Sequence, residues 1–199
     1  MLSSKVGFSL IELVIVAAIL ALAAFLVIPN IMTSYSGLRV RLAADELAST
    51  LRLSRMMAVR HNANVALKFR PRADGSVTYT LYRDGDGDGV RNEDLEAGID
   101  PVMSPERQLA MMGKGVGFGF PSAYRPRHPG DPRRPMTRLD DPIRFNRSDL
   151  ASFSSTGSST PGSLYLTDGR QTLVAVRVLG YTGKVKILTY DPEAEAWEE

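Results

Sequence analysis

The sequence predicts an α+β protein: a long N-terminal helix, membrane-spanning in its first half, packed on an antiparallel β-sheet head. Three observations carry that prediction. Every residue from Leu13 to Ile28 is apolar, residues 40–58 repeat apolar side chains at helical steps, and beyond residue 61 apolar and polar residues alternate between turn signals.

Counted from Phe8 to Ile28, the first element reaches 21 residues, close to the roughly 20 that carry a helix across a bilayer. It contains one carboxylate, Glu12. An ionisable group in such a segment costs about 2.5 to 3.5 kcal/mol, so it calls for a function and a partner. A removable secretory signal would use Lys5 as its basic region and Ala21-Leu22-Ala23 as its cleavage pattern, with a mature start at Ala24. Glu12 interrupts the apolar region that such a signal needs. A plain single-span anchor leaves the carboxylate without a role.

The stretch Lys5-Val6-Gly7-Phe8-Ser9-Leu10-Ile11-Glu12-Leu13 resembles the class III leader of type IV pilins and type II secretion pseudopilins. The resemblance implies a leader of residues 1–7, cleavage after Gly7 by a prepilin peptidase, and methylation of the new amino terminus at Phe8. It also implies that Glu12 meets the terminal amine of a neighbouring subunit, so that assembly neutralises the buried charge. Pro29, which removes a helical hydrogen bond just after the apolar run, sits where the family commonly has a proline.

Beyond Pro29 the pattern turns amphipathic. Val40, Ala44, Leu47, Leu51 and Ala58 recur on one helical face, while Arg41, Asp45, Ser49 and Arg52 fall elsewhere. The expected organisation is a hydrophobic helix over 8–29, its amphipathic continuation over 30–60, and a β-rich head over 61–199. The phrase LAADELASTLRLSRMMAVRHNANVALKF is similar to the GspH/FimT group of minor pilins and pseudopilins.

In the head, alternation predicts strands at Asn64 to Phe69, Val77 to Tyr82, Ser163 to Leu166, Leu173 to Val178 and Lys184 to Tyr190. The turns 71–75, 167–169 and 181–183 separate them, and the serines at 154–159 read as a further turn. The closing segment from Phe153 to Asp191 is similar to the carboxy-terminal signature of the same group, which ends in a glycine-basic-x-basic unit, here Gly183-Lys184-Val185-Lys186.

Two insertions, acidic over 84–100 and Arg/Pro-rich over 120–141, fall outside the resemblance. In the first, Asp84, Asp86 and Asp88 alternate with glycines and precede Gly89, as in a loop that turns oxygens toward a hard cation such as calcium. The EF-hand pattern then fails, because position twelve is Leu95, and Asp94 is the acid that could close a shortened loop. A solvated acidic turn without metal is the other reading. Calcium is the one cofactor suggested, and none is required.

The second insertion carries Arg125, Arg127, Arg133 and Arg134 among prolines, which predicts an extended, exposed loop. Such a loop could track phosphates, and with Lys184 and Lys186, whose unit the resemblance links to DNA uptake in some minor pilins, these arginines form a candidate nucleic-acid surface. Both arginines of the family's glycine-basic-x-basic unit are lysines here, which keep the charge but lose the bidentate fork. A solvated loop and a lysine-protected edge strand are the alternatives.

Composition bounds the rest. The chain has 199 residues, 44% hydrophobic content and a formal charge of +2, so attraction to a polyanion must come from local patches. The stretch from Phe120 to Arg147 is one such patch, and the tail from Asp191, with five acids and no base, is its opposite. The absence of cysteine excludes a disulfide scaffold and a thiolate metal site. His61 and His128, the only histidines, stand in no recognised catalytic spacing, so an enzyme is not expected.

Taken with the resemblance, the expected role is a structural minor pilin or pseudopilin of a type II secretion or type IV pilus system. The implied partners are other pilins or pseudopilins, the prepilin peptidase and an inner-membrane assembly platform. The implied location is the bacterial inner membrane, single-pass with a periplasmic head, and afterwards the pilus or pseudopilus. The alternatives are a DNA-binding minor pilin and a calcium-binding surface domain.

Overall fold

The computed structural model describes the backbone of residues 9–199 and the side chains of all of these except 24 and 26–34. Gly7, Phe8 and the side chain of Pro29 lie outside the described residues. The chain divides into two compact units, Met1–Tyr35 and Ser36–Glu199.

Helix α1, Leu10–His61, contributes to both units. In the first unit every described side chain from Leu10 to Ala23 is exposed. Among the described residues no helix is long and apolar enough to cross a membrane. The expected span over 8–29 includes residues 8, 24 and 26–29, whose side chains fall outside that description.

In the second unit α1 buries one face, built from Val40, Ala43, Ala44, Leu47, Ala48, Leu51, Ser54 and Ala58. The three- and four-residue steps keep these on one stripe, and the alanines let the helix backbone approach its neighbours closely. Ser54 is tolerated in this stripe because its hydroxyl donates to Thr50 O at 2.8 Å. The helix ends at Asn62, whose φ of +48° is left-handed. Asn62 N donates to Val59 O (3.3 Å) and Ala63 N to Ala58 O (3.2 Å), the pair of bonds of a Schellman cap.

Strands β1, Val65–Pro71, and β2, Val77–Arg83, form a hairpin. Gly75, at φ +79°, and Asp74, which accepts Ser76 N at 2.9 Å, make its turn. The acidic insertion follows and contains helix α2, Asn92–Ala97. Four short strands come next: β3, Arg107–Gln108; β4, Gly117–Phe118; β5, Arg127–His128; and β6, Asp131–Pro135. The expected loop over 120–141 is therefore partly a β5–β6 hairpin. Then come β7, Ile143–Arg144; β8, Leu150–Phe153; β9, Gly162–Thr167; β10, Leu173–Leu179; β11, Lys184–Asp191; and β12, Ala196–Glu198.

Beside the two-stranded β5–β6 sheet there are two larger ones: the first has the order β3-β2-β1-β8 and the second β12-β11-β10-β9-β4, with β7 also paired to β9. The pairings between these strands are antiparallel. The α1 stripe, Leu67 and Phe69 of the first sheet, and Leu164, Leu166, Val174 and Val176 of the second share one core.

Each sheet also has an outer face, and each insertion covers one. Val90 and Leu95 of the acidic insertion pack with Ala66, Tyr82 and Leu150 of the first sheet. Phe120, Tyr124, Met136 and Leu139 of the Arg/Pro-rich insertion pack with Tyr165, Leu173, Ala175, Leu188 and Tyr190 of the second. Burial on both faces explains why β2 is buried from Val77 through Tyr82 instead of at alternate positions.

Candidate functional site

Glu12 lies in the first turn of α1, where the free amide dipoles favour a carboxylate. Ser9 O accepts hydrogen bonds there from Glu12 N (3.1 Å) and Leu13 N (3.2 Å). The Glu12 side chain is exposed, and among the described residues no cation stands within ion-pair distance of it.

The acidic insertion is folded around its own carboxylates. Asp84, 7% exposed, accepts Asn64 Nδ2 (2.7 Å), Gly87 N (2.7 Å) and Gly89 N (3.0 Å). Asp100, 2% exposed, accepts Gly85 N (2.9 Å) and Arg91 N (3.3 Å). Gly85 has no room for a side chain, since a Cβ there would lie 2.1 Å from Ile99 O. Burial pushes the Asp84 carboxyl upward, but the donors from Asn64, Gly87, Gly89 and Asp86 outweigh it and hold the group below its ordinary value.

Carboxylate oxygens of Asp84, Asp86 and Asp88 lie within 4.8 Å of one another. A hard cation takes six to eight oxygens, so this trio would supply about half a shell. Asp88 is also paired with Arg91. Asp94, the fourth acid of the sequence-based set, lies in α2 outside that trio, and its Oδ2 is buried with no hydrogen-bond partner among the described residues. Desolvation and the charges of Asp86 and Asp100 push the Asp94 carboxyl up.

The basic residues divide by their partners. Lys186 pairs with Glu199, and Arg127 with Glu195, so the acidic tail occupies two of the candidate cations. Arg125, Arg133 and Arg134 are exposed, the last two on β6. Lys184 is exposed at the start of β11 and lines a groove of about 680 Å³ with Arg52, Arg55, Met56, Val59 and Arg60 of α1. Sequence reasoning left out these helix arginines. Their signal was the spacing that places them off the buried stripe, and a fold was needed to bring Lys184 beside them.

Gly183 has a packing role. Arg55 Nε donates to Gly157 O at 3.0 Å, and a Cβ on Gly183 would sit 2.4 Å from Gly157 O and 2.9 Å from Arg55 Nε. Its φ of +58° is itself costly for any other residue. Gly157 and Gly183 therefore meet over one helix arginine, and this clasp ties the β10–β11 turn to the turn at 154–158.

A comparison with solved structures finds two of the minor pseudopilin EpsH, from the type II secretion system of Vibrio cholerae. The chain is similar to a minor pseudopilin. In the first comparison the TM-score is 0.42 at 15% identity, covering 82% of this chain and 97% of that one. In the second it is 0.41 at 16% identity, covering 75% and 94%. No protein-family model and no curated protein matches the chain.

Replacing Gly183 with Ala forces a side chain into the clasp at a left-handed backbone position, with an expected loss of about 1 to 3 kcal/mol. Thermal and denaturant unfolding of the variant measure this, and an unchanged midpoint would remove the clasp from the account. Asp84 contributes a stability that depends on pH. Its folded value lies below the ordinary 3.8, so the contribution is complete above that value and is lost as pH falls through the folded one. Acid unfolding of Asp84→Asn should accordingly depend less on pH below about 4 than that of the parent chain.

Proposed function

We propose that this chain is a minor pilin or pseudopilin, a structural subunit held in the inner membrane by its N-terminal helix and then built into a filament. The observation that supports this most directly is the exposed face of α1. Leu10, Ile11, Leu13, Val14, Ile15, Val16, Ile19, Leu20 and Leu22 are each at least 49% exposed, with Glu12 the lone charge among them. Burying nine such side chains in lipid or against neighbouring helices is worth on the order of 10 to 20 kcal/mol, several times the cost of burying one carboxylate. Apolar surface on that scale marks a contact surface.

In this reading Glu12 resolves its own penalty through the amine of a neighbouring Phe8, so the correct partner is selected by charge at the moment of insertion. The test is mass spectrometry of the mature amino terminus in the native host. An N-methylated Phe8 is expected, with Glu12→Leu cutting incorporation into the filament; an intact Met1 or a start at Ala24 would sink the reading.

A second reading, a DNA-contacting minor pilin, is favoured by one arrangement: Arg52, Arg55, Arg60 and Lys184 share a groove, and none of them has a carboxylate within ion-pair distance among the described residues. It expects a duplex affinity that falls steeply with salt and drops on Arg52→Ala with Lys184→Ala. Affinity indifferent to both changes would remove it.

A further inference from the structure

On the outer face of the second sheet, four residues stand in one row across neighbouring strands. Arg144 on β7 is opposite Ser163 on β9, Ser163 is opposite Arg177 on β10, and Arg177 is opposite Lys186 on β11. Directly opposed residues share a face, and like charges so placed repel. Glu199 relieves Lys186. Arg144 and Arg177 have no carboxylate within ion-pair distance among the described residues.

Main-chain carbonyls hold these two guanidinium groups. Arg144 donates Nε to Asp141 O at 2.9 Å and a terminal nitrogen to Arg138 O. It also lies over the rings of Phe120 and Tyr165, at 5.4 and 5.3 Å from their centroids. Arg177 donates to Pro129 O at 2.8 Å. Gly130 permits that approach, since a Cβ there would stand 2.9 Å from an Arg177 nitrogen. Carbonyls orient a guanidinium without neutralising it, so both heads keep their charge and several donors.

His128 completes the surround. Its Nδ1 accepts Gly130 N at 3.0 Å, which places the proton of the neutral ring on Nε2. Burial, and then the charges of Arg177, Arg144 and Arg134, hold the imidazole below its ordinary value, against the opposing pull of Asp131. The field at this ring is therefore positive. His128, Arg144, Ser163, Tyr165, Arg177 and Tyr181 line one cavity of about 560 Å³.

We propose that this cavity is a binding site for a phosphate group, free or as a small monoester, held between Arg144 and Arg177 over Ser163. The Cα atoms of the two arginines are two strand spacings apart, about 10 Å, a gap that their long side chains span from both sides. A tetrahedral oxyanion offers more acceptors than a carboxylate to a surround of two guanidinium groups, an imidazole N–H and a hydroxyl. The site is lined by residues between His128 and Thr182 and does not depend on the filament role proposed above.

The two histidines, His61 and His128, make the test direct, since one is in the site and the other is an internal control. The full-length chain in detergent is titrated with inorganic phosphate, and with sodium chloride at matched ionic strength, while both imidazoles are followed by NMR. A saturable shift and a rise in the titration midpoint of His128 alone are expected, with Arg177→Gln weakening phosphate about tenfold. Should that variant misfold, Arg177→Lys, which keeps the charge and loses the fork, is expected to weaken binding as well. Phosphoserine distinguishes the sources: a response equal to that of phosphate assigns the free ion, and a tighter one assigns a monoester. Equal drift of both histidines in phosphate and chloride would overturn the site, as would a response of His128 to duplex DNA with none to phosphate.

Discussion

The contact on which the rest depends is the burial of one stripe of α1 against two sheets at once. Val40, Ala44, Leu47, Leu51 and Ala58 share a core with both, and small residues on the stripe allow close approach. Two sheets that both turn one face to the same helix leave two outer faces still carrying apolar residues. Those faces have to be covered from elsewhere in the chain. The insertions do this, with Val90 and Leu95 over the first sheet and Phe120, Tyr124, Met136 and Leu139 over the second.

This requirement changes how the charged insertions are understood. Their composition draws attention to acids and arginines, yet each is anchored by a few apolar side chains. Once anchored, the charged residues are held in defined places. Asp84 and Asp100 become the internal struts of a tight turn, each accepting main-chain amides. Arg144 and Arg177 stand beside the margin of the covering hairpin, oriented by Asp141, Arg138 and Pro129 carbonyls. The acidic tail turns back as β12 on the same sheet and pairs Glu195 and Glu199 with Arg127 and Lys186. Charge on this unit is thus partly compensated inside the chain, and what remains uncompensated is localised.

The helix shows the opposite economy in its first part. From Leu10 to Ala23 its described side chains are exposed, whereas from Val40 to Ala58 a stripe is fully covered. A chain that satisfies its own core in one stretch and leaves so much apolar surface in another is suited to a second environment for the latter. The filament proposed above would be that environment, with Glu12 the lone charge within the exposed stretch.

What was legible in the sequence follows from short-range physics. Helical period marked α1 and ended it within a residue of His61, and two-residue alternation with Gly and Asp turns located β1, β2, β9, β10 and β11 to within a residue or two at their ends. Helix α2 and strands β3 to β8 and β12 escaped notice because they are short or lie in charged segments, where tertiary contacts and not local pattern select the conformation. The convergence of Arg144, Ser163 and Arg177, like the meeting of Gly157 and Gly183 at Arg55, depends on register between strands far apart in the chain. Sequence by itself determined the long helix, the five longest strands and where apolar surface accumulates, since these follow from side chains within a few residues of one another. Only the tertiary structure decided which charges face each other and which are left unpaired, because that is set by long-range packing of the insertions on the sheets.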